Sequence, residues 1–336
     1  MTPPDRLSLE DSRHASFRHE ALLYSGESDF VSATSAFIRE GLARGEPVLA
    51  VLDTHKIGLL RSALGEQAGA VEFADMGVVG HNPGRILDAW YGFATDQPGA
   101  GAGARGIGEP VSPSRSPAEL VECQLHEALL NVAFPPQPAW TLLCPYDTGT
   151  LEAGVVAEAR RTHPFLRHGT EAAASPDFAS SDYVRPGAPP APWQFRDPLP
   201  EPPARASTVE LAIGDASLSA VRRRVWVHAT EAGASPARAN ELVLAVSELA
   251  TNSIRHGGGR GRLRLWVDRR DVVCEVADRG HITDPLVGRR RPSRRQLAGR
   301  GLWLVHQLCD LVQIRTAPGG TVVRVRMQVS PGAVVS

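Results

Sequence analysis

The sequence predicts an α/β protein with two domains, and three observations support this prediction. The chain has 336 residues, which is more than one ordinary domain requires. In its N-terminal part, short apolar runs alternate with amphipathic helix patterns, which is typical of a mostly parallel sheet covered on both faces. A proline-rich segment, 171–205, separates that part from the rest. We therefore expect domains over 15–170 and 206–329, joined by this segment.

The N-terminal part has the order of elements that a RecA-like or doubly wound α/β domain requires. Bounded apolar runs predict buried strands, and apolar residues at helical spacing predict the helices between them. The predicted strands are 21–24, 47–52, 70–74 and 139–144, and the predicted helices are 57–64, 83–93, 118–132 and an amphipathic stretch that ends at Gly45.

A Walker-type nucleotide loop is excluded in this part of the chain. The only lysine, Lys56, is followed by Ile57 and has no glycine-rich run before it. A glycine-rich segment, 99–108, does not lie in a clear strand-to-helix turn. We interpret it as a mobile loop, with a phosphate cradle as the alternative.

Four stretches of the N-terminal part are informative together: HEALLYSGESDF (19–30), FIREGLARGEPVLAVLD (37–53), RGIGE (105–109) and CPYDT (144–148). They resemble the MEDS sensory domain, a module at the start of bacterial sensor and regulatory proteins. The resemblance implies a sensory or protein-interaction role and no catalysis. His19, Glu109 and Asp147 are candidates for a ligand pocket. The alternative is that they hydrogen-bond neighbouring backbone, as buried polar residues usually do.

Composition limits the partners of the protein. The net charge is −1, so no global field attracts nucleic acid or an anionic membrane. No stretch approaches the ~18 apolar residues that span a bilayer, and the N-terminus lacks the apolar run of a signal peptide. The four cysteines form no CxxC pattern, so we expect neither a disulfide framework nor a thiolate zinc site. We expect a cytoplasmic protein without direct contact with nucleic acid or membrane.

The segment 171–205 has little hydrophobic periodicity besides its prolines. Such segments act as semi-extended spacers and not as core elements. A PxxP ligand for a signalling domain is the alternative.

A long helix is predicted from Ser235 to His256, because Ser235-Pro236 is a good helix start and three glycines follow His256. Glu248, Asn252 and His256 are spaced four residues apart and lie along one side of it. A carboxylate one turn before an amide suits Mg²⁺, which takes amide and phosphate oxygens while it retains waters. A solvated helix face is the alternative.

After this helix, the strand pattern leads to Asp278 and Gly280. An aspartate at the end of a strand, close to a glycine, can accept a hydrogen bond from an exocyclic amine in a tight pocket. Gly299 and Gly301 then flank the start of a helix, where backbone amides can approach an anion. The predicted elements are strands 262–267, 272–277, 311–316 and 321–328 and a helix over 302–310.

The order of these patterns is more specific than any one of them. Glu-x-x-x-Asn on a helix, Asp-x-Gly after a strand, Gly-x-Gly opening a helix and a final strand with threonine resemble the motif boxes of the GHKL ATPases. The segments ELATNSIRHG (248–257) and GRGLWLVHQLCD (299–310) resemble the anti-sigma-factor serine/threonine kinase family within them. The resemblance covers nearly all of 208–328 and implies an α/β two-layer sandwich that binds ATP.

The resemblance also implies roles for individual residues. Asn252 would coordinate Mg²⁺, and Glu248 would act as the general base toward a serine hydroxyl. Asp278 would read the adenine amino group, with Thr321 assisting through water. The other candidates for contact with ATP are Arg255, His256, Gly280, Gly299, Arg300, Gly301 and Leu302.

Two features of this part differ from the family or extend beyond it. Ile282 stands where the family often has a second glycine, and this difference keeps a non-catalytic role open. Five arginines lie between the Asp-x-Gly and Gly-x-Gly patterns and predict an ATP lid, with nucleic-acid contact as the alternative. They are Arg289, Arg290, Arg291, Arg294 and Arg295.

The activity that the resemblance implies is transfer of the ATP γ-phosphoryl group to a serine of an anti-anti-sigma (STAS-type) protein. The second implied activity is binding of a sigma factor, so that the protein serves signal transduction and transcription regulation. Two alternatives remain open: an ATP-binding anti-sigma regulator without kinase activity, and a sensor histidine kinase. The latter needs a dimerisation helix pair where the proline-rich segment lies. A homodimer is an open alternative to a monomer.

Overall fold

The computed structural model describes residues 17–96, 103–134, 140–179, 195–292 and 300–329 and divides into two compact units. The N-terminal unit comprises Met1–Gly80 and Ile86–Ser181, and the C-terminal unit comprises His81–Arg85 and Asp182–Ser336. Within the described part of the chain, no helix has both the length and the apolar character that crossing a membrane requires.

The N-terminal unit is built on a seven-stranded sheet. Its strands are β1 (Arg18–Tyr24), β2 (Val48–Leu52), β3 (Val71–Asp75), β4 (Arg105–Gly108), β5 (Thr141–Asp147), β6 (Phe165–His168) and β7 (Glu171–Ala174). They lie in the order β3-β2-β4-β5-β1-β6-β7, and every pairing is parallel except that of β6 with β7. The predicted α/β class with a mostly parallel sheet is confirmed.

Helices connect these strands. They are α1 (Gly26–Ala43), α2 (Thr54–Leu64), α3 (Met76–Val79), α4 (Ile86–Asp96), α5 (Pro117–Ala133) and α6 (Ala153–Thr162). The Asp53 carboxylate accepts a 2.8 Å hydrogen bond from the Lys56 amide and caps α2, while Ser116 and Glu119 form a capping box at α5. All residues of β2 are buried, as expected of a parallel strand that is covered on both faces.

The segment predicted as a mobile loop contains a strand. Residues 105–108 form β4, which is buried and lies between β2 and β5. A Cβ atom at Gly108 would lie 2.6 Å from Cζ2 of Trp90, so the glycine leaves room for the indole ring. The loop prediction is wrong here, because this glycine serves close packing and not a turn. Residues 99–102 of the segment lie outside the described residues.

The predicted spacer 171–205 also differs from the structure in its described parts. Glu171–Ala174 forms β7, the edge strand beside β6. Further along, the Pro200 carbonyl accepts a 2.7 Å hydrogen bond from Arg324 of the C-terminal unit, to which both residues belong. Proline disfavours regular helix but keeps its carbonyl, so a proline-rich segment can still pack on a sheet. The middle of the segment, 180–194, lies outside the described residues.

The C-terminal unit is built on a five-stranded sheet in which every pairing is antiparallel. Its strands are β8 (Val209–Ile213), β9 (Gly261–Asp268), β10 (Asp271–Asp278), β11 (Leu311–Ala317) and β12 (Gly320–Gln328), in the order β11-β12-β10-β9-β8. Its helices are α7 (Leu218–Glu231), α8 (Pro236–His256) and α9 (Arg300–Leu308). Helix α8 packs on β8, β9, β10 and β12, so the predicted layer of helices on a sheet is confirmed.

The face of the sheet opposite α8 contains a buried charge cluster. Glu275 on β10 is 2% exposed, and each of its carboxylate oxygens lies 2.5 Å from an arginine nitrogen. The two arginines are Arg264 on β9 and Arg324 on β12. Glu201 forms a second ion pair with Arg264 at 2.6 Å. The segment before β8 therefore contributes to this face.

The short segment His81–Arg85 completes the C-terminal unit. The buried Asn82 side chain donates hydrogen bonds to the carbonyls of His306 and Cys309, at 3.0 and 3.2 Å. These carbonyls lie at the C-terminal end of α9, where the last backbone oxygens of a helix lack partners within it. Asn82 thereby caps this end of α9.

All four cysteines are buried thiols, two in each unit. Cys123 and Cys144 lie in the N-terminal unit, and Cys274 and Cys309 lie in the C-terminal unit. Burial raises the pKa of the Cys123 thiol to about 12 and holds the pKa values of Cys144 and Cys274 well above their ordinary range.

Candidate functional site

A pocket of about 360 Å³ lies in the C-terminal unit, within the size range of small-molecule sites. Residues of α8, β10, the segment after β10, α9 and β12 line it. The lining residues are Leu249, Asn252, Ser253, His256, Val276, Asp278, Gly280, His281, Ile282, Thr283, Asp284, Val287, Gly301, Leu302, Thr321 and Val323.

Helix α8 positions the first group of these side chains. Its start is fixed as predicted, because the Ser235 hydroxyl accepts a 3.3 Å hydrogen bond from the Arg238 amide and Pro236 occupies the first turn. Leu242, Val246 and Leu249 are buried on its core side. The last turns of α8 therefore present Asn252 and its neighbours to the pocket.

The Asp278 carboxylate at the end of β10 is held from two sides. The Ser253 hydroxyl donates to Oδ2 at 2.6 Å, and the Gly280 amide donates to Oδ1 at 2.8 Å. Thr321 at the start of β12 donates to the Gly280 carbonyl at 2.8 Å. The aspartate, the glycine turn and the threonine thus form one connected network, and each carboxylate oxygen retains a lone pair for a further donor.

Two glycines allow close approaches at this site. A Cβ atom at Gly280 would lie 2.6 Å from the His256 carbonyl oxygen. A Cβ atom at Gly301 would lie 2.7 Å from Glu248 Oε2 and 3.7 Å from Asn252 Nδ2. The start of α9 therefore lies directly beside the two polar side chains of α8, and a larger residue at Gly301 would displace them.

The predicted site residues fall into three groups. Those that line the pocket are Asn252, His256, Asp278, Gly280, Gly301, Leu302 and Thr321. Glu248 is half-buried beside Gly301 and is not a lining residue, and Arg255 and Arg300 are exposed and do not line it either. Gly299 lies outside the described residues, as do Arg294 and Arg295 of the predicted lid.

Several lining residues were not predicted. Ser253 is buried next to Asn252 and fixes Asp278, which its position in the sequence alone does not indicate. His281, Thr283 and Asp284 follow the Asp-x-Gly pattern directly, and this proximity is the signal that could have indicated them. The apolar wall consists of Leu249, Val276, Ile282, Val287 and Val323.

This arrangement can bind a flat, partly apolar group that carries a hydrogen-bond donor. The apolar side chains provide a wall, and the fixed Asp278 carboxylate provides an acceptor at its edge. Asn252, another polar residue of the lining, offers an amide oxygen. Gly301, also in the lining, lies in the first turn of α9. A helix start favours an anion such as phosphate.

The polar candidates of the N-terminal unit have partners inside the protein. Glu109 accepts a hydrogen bond from Tyr24 at 2.9 Å and pairs with the Lys56 ammonium at 2.6 Å. Burial raises the pKa of Glu109 to about 7, although Lys56 opposes the shift. Asp147 accepts from the Gly149 amide at 3.0 Å in the turn after β5. The Asp147 contact fits the alternative of a bond to neighbouring backbone, whereas Glu109 contacts two side chains, and the ligand-pocket role of these residues stays a prediction.

Two family models match this chain. The model of the MEDS domain, described as "MEthanogen/methylotroph, DcmR Sensory domain", matches residues 18–164. The model of the histidine kinase-like ATPase domain matches residues 212–327. Comparison with curated proteins gives no match.

A solved structure with some similarity is "The crystal structure of the RsbU and RsbW domains of Rv1364c from Mycobacterium tuberculosis". The sequence identity is 18% and the TM-score is 0.29, over 39% of this chain and 35% of that chain. The family matches are sufficient for the conclusion that the chain combines an N-terminal MEDS sensory domain with a C-terminal histidine kinase-like ATPase domain.

Proposed function

We propose that the C-terminal unit binds ATP with Mg²⁺ and transfers its γ-phosphoryl group to a serine of an anti-anti-sigma (STAS-type) protein. In this proposal the protein also binds a sigma factor, and the MEDS domain regulates both activities from within the same cytoplasmic chain. The observation that supports the proposal best is the network of Asp278, Ser253 and Gly280 at the edge of an apolar pocket.

The residues that are present suit an adenine ring. Asp278 accepts from an exocyclic amine, and its orientation is already fixed by two donors, so binding costs little ordering of the side chain. Leu249, Val276 and Val323 offer apolar surface for the ring. Thr321, bonded to the Gly280 carbonyl, lies in the same lining and can contact a water beside the ring.

The residues that are present also suit a magnesium phosphate group. Asn252 would hold the ion through its amide oxygen, and a bound Mg²⁺ would neutralise charge on the phosphate oxygens. The Cβ position of Gly301, at the start of α9, lies 3.7 Å from Asn252 Nδ2, so the phosphates would bind beside this helix start. Arg255 and Arg300 are exposed cations that adjoin the lining residues His256 and Gly301 in the sequence, and they would offset the remaining negative charge.

Glu248 is the group that would act on the protein substrate. Its carboxylate lies one helical turn before Asn252 and next to Gly301. It would accept the proton of a serine hydroxyl, whose oxygen forms a bond to the γ-phosphorus while the bond to the β,γ-bridging oxygen breaks. The products are phosphoserine and ADP, and the proton remains on Glu248 until solvent removes it.

Two observations favour a second candidate, an ATP-binding anti-sigma regulator without kinase activity. Ile282 occupies the pocket lining where the family often has glycine, and Glu248 is not a lining residue. A sensor histidine kinase is the less favoured candidate. Among the described residues 195–213, which precede the first helix of the C-terminal unit, no pair of dimerisation helices is present.

The experiment that tests the proposal uses the full chain, γ-labelled ATP and a panel of STAS-type proteins. We expect ATP binding by calorimetry and labelled phosphoserine on at least one STAS-type protein. ATP binding without phosphoserine on any panel member would support the non-catalytic candidate. Unchanged ATP binding in both Asn252→Ala and Asp278→Ala would contradict the pocket as the nucleotide site.

A further inference from the structure

The N-terminal unit contains a buried group of four side chains, all of types that can bind a metal ion. β1, α5 and β5 contribute one residue each, and the residue that follows α6 is the fourth. The members are His19, Glu127, Cys144 and His163, which we call the buried cluster. All are at most 1% exposed, and one donor atom from each lies within 4.8 Å of the others.

The separations within the buried cluster are those of ligands around one ion. Glu127 Oε2 lies 3.0 Å from His19 Nε2 and 3.3 Å from His163 Nε2. Cys144 Sγ lies 3.4 Å from His19 Nε2. Ligands on a tetrahedral Zn²⁺, with bonds of about 2.0–2.3 Å, are separated by roughly 3.4 Å. The donor atoms therefore need little movement to surround such an ion.

Hydrogen bonds on the far side of each imidazole orient its free nitrogen toward the cluster. His163 Nδ1 lies 2.8 Å from the Ala159 carbonyl, which can only accept, so Nδ1 carries the hydrogen. His19 Nδ1 lies 3.1 Å from Asn131 Oδ1, and the Asn131 amide is oriented by its 2.7 Å bond to the Thr162 carbonyl. In the neutral rings, both Nε2 lone pairs then point at Glu127. This is the arrangement of metal-bound histidines whose other nitrogen is held by an outer partner.

Two polar atoms of the buried cluster lack a hydrogen bond within the described residues. They are Glu127 Oε1 and His163 Nε2. His163 Nε2 lies 3.3 Å from Glu127 Oε2 without forming a hydrogen bond. Buried polar atoms are rarely left without a partner, because nothing then replaces the hydration that they lose on folding. A cation among the lone pairs would bind His163 Nε2, and it would also bind Glu127 Oε1 when both carboxylate oxygens face it.

We propose that the buried cluster is a closed, four-ligand site for a divalent transition metal ion, with Zn²⁺ as the best fit. Nitrogen and sulfur donors favour such ions over Mg²⁺ and Ca²⁺, which prefer oxygen. When the ion binds, the Cys144 thiol loses its proton to solvent. Two neutral imidazoles, one carboxylate and one thiolate then balance the two positive charges, so the buried site carries no net charge. Four protein ligands leave no open position, which is typical of structural sites.

The test uses the full chain, expressed with added zinc and dialysed against a weak chelator, and elemental analysis of its metal content. We expect about one Zn²⁺ per chain, and a thiolate-to-metal charge-transfer band when Co²⁺ replaces Zn²⁺. Cys144→Ser should lose this band. Cys123→Ser is the matched control, since Cys123 is a buried thiol of the same unit that donates to the Pro110 carbonyl, and it should keep the band.

A second variant addresses the outer partner of His19. Asn131→Ala should weaken zinc binding by about 10–100-fold in a competition with a chromogenic chelator, because His19 loses its orienting bond. Wild-type protein without zinc and without the cobalt band would overturn the proposal, even if Cys144→Ser fails to fold. Equal bands in Cys144→Ser and Cys123→Ser would place any bound metal elsewhere and would also overturn it.

Discussion

Asp278 accepts hydrogen bonds from Ser253 and Gly280, and this geometry makes it the most informative single residue of the pocket. We expect Asp278→Asn to weaken ATP binding by about 10–100-fold, because a hydrogen bond to a charged group contributes about 1.5–3 kcal/mol. Calorimetric titration measures this change. Asp271→Asn, at the other end of β10, is the control and should bind ATP normally. Wild-type affinity in Asp278→Asn would contradict the proposed adenine contact.

Glu248 separates the two proposed functions. Glu248→Gln keeps the size of the side chain and removes its basicity, so phosphorylation of the STAS-type partner should fall by about 10²–10⁴-fold while ATP binding persists. Transfer of labelled phosphate, measured beside calorimetry, tests this. Glu241→Gln, on the same helix and paired with Arg238, is the control and should retain activity. Equal phosphorylation by Glu248→Gln and the wild type would exclude Glu248 as the base.

Individual residues were predictable where local patterns carry the information. Asn252, Asp278 and Gly301 follow from spacing on a helix, a strand end and a helix start, and the structure brings them to one pocket lining. Ser253 was not predicted, because its contact with Asp278 depends on how α8 lies on the sheet. The residues of the buried cluster come from three separate elements and from the position that follows α6, so no spacing in the sequence relates them.

At the scale of elements, β4 depends on a glycine that faces an indole ring. Gly108→Ala places a Cβ atom 2.6 Å from Trp90, and overpacking of this kind costs about 1–3 kcal/mol in unfolding free energy. Thermal unfolding of the N-terminal unit should therefore occur at a lower temperature. Gly58→Ala is the control, because Gly58 lies in α2 with open space around it and alanine favours helix there. An unchanged melting temperature in Gly108→Ala would contradict the close packing of β4.

The buried Glu275 connects β9, β10 and β12 on the outer face of the second sheet. Glu275→Ala leaves the buried Arg324 without its carboxylate partner and leaves Arg264 with the exposed Glu201 alone, which should cost about 3–5 kcal/mol of unfolding free energy. Glu210→Ala removes an exposed pair with Arg262 on neighbouring strands and should cost less than about 1 kcal/mol. Chemical denaturation of both variants provides the comparison. Equal stability of the two variants would show that the Glu275 cluster contributes no more than a surface pair.

Elements were predictable where hydrophobic periodicity is strong. Helix α8 and strands β9 to β12 are present as predicted, because each has a clear apolar pattern and a turn signal at its end. Strand β4 was missed because its glycines are typical of a loop. Their actual reason, close packing against Trp90, involves a residue distant in the sequence. Strand β7 was missed because its alanines have no strand preference, and pairing with β6 determines its conformation.

At the scale of the whole molecule, the segment before β8 determines where the C-terminal unit can be cut. Phe195 is 1% exposed, and Pro200 and Glu201 contact arginines of the sheet. A fragment over 195–329 should therefore unfold at a higher temperature than a fragment over 206–329. The difference in unfolding free energy should be about 1.5–3 kcal/mol, the contribution of burying one phenylalanine side chain.

Both fragments lack His81–Arg85, so their difference isolates the segment 195–205. Calorimetry of the two fragments, with and without ATP and Mg²⁺, measures the difference. Equal melting temperatures would mean that the segment is a spacer, as its composition predicts.

The division of the chain near the proline-rich segment was predictable because prolines interrupt both apolar periods. The packing of its C-terminal end was not, because it depends on carbonyl and carboxylate contacts with arginines far along the chain.

The even distribution of the buried cysteines has a practical consequence. Thiol reagents attack the thiolate, and burial of Cys123 and Cys274 both hinders access and keeps these two thiols protonated. Labelling therefore proceeds through transient opening of the fold, and the rate at each cysteine measures how often its surroundings open. Cys123 lies in the N-terminal unit and Cys274 in the C-terminal unit. Mass spectrometry of labelled peptides would therefore measure the opening rate of each unit independently in one sample. Labelling rates of the unmodified chain therefore report how often each unit opens transiently.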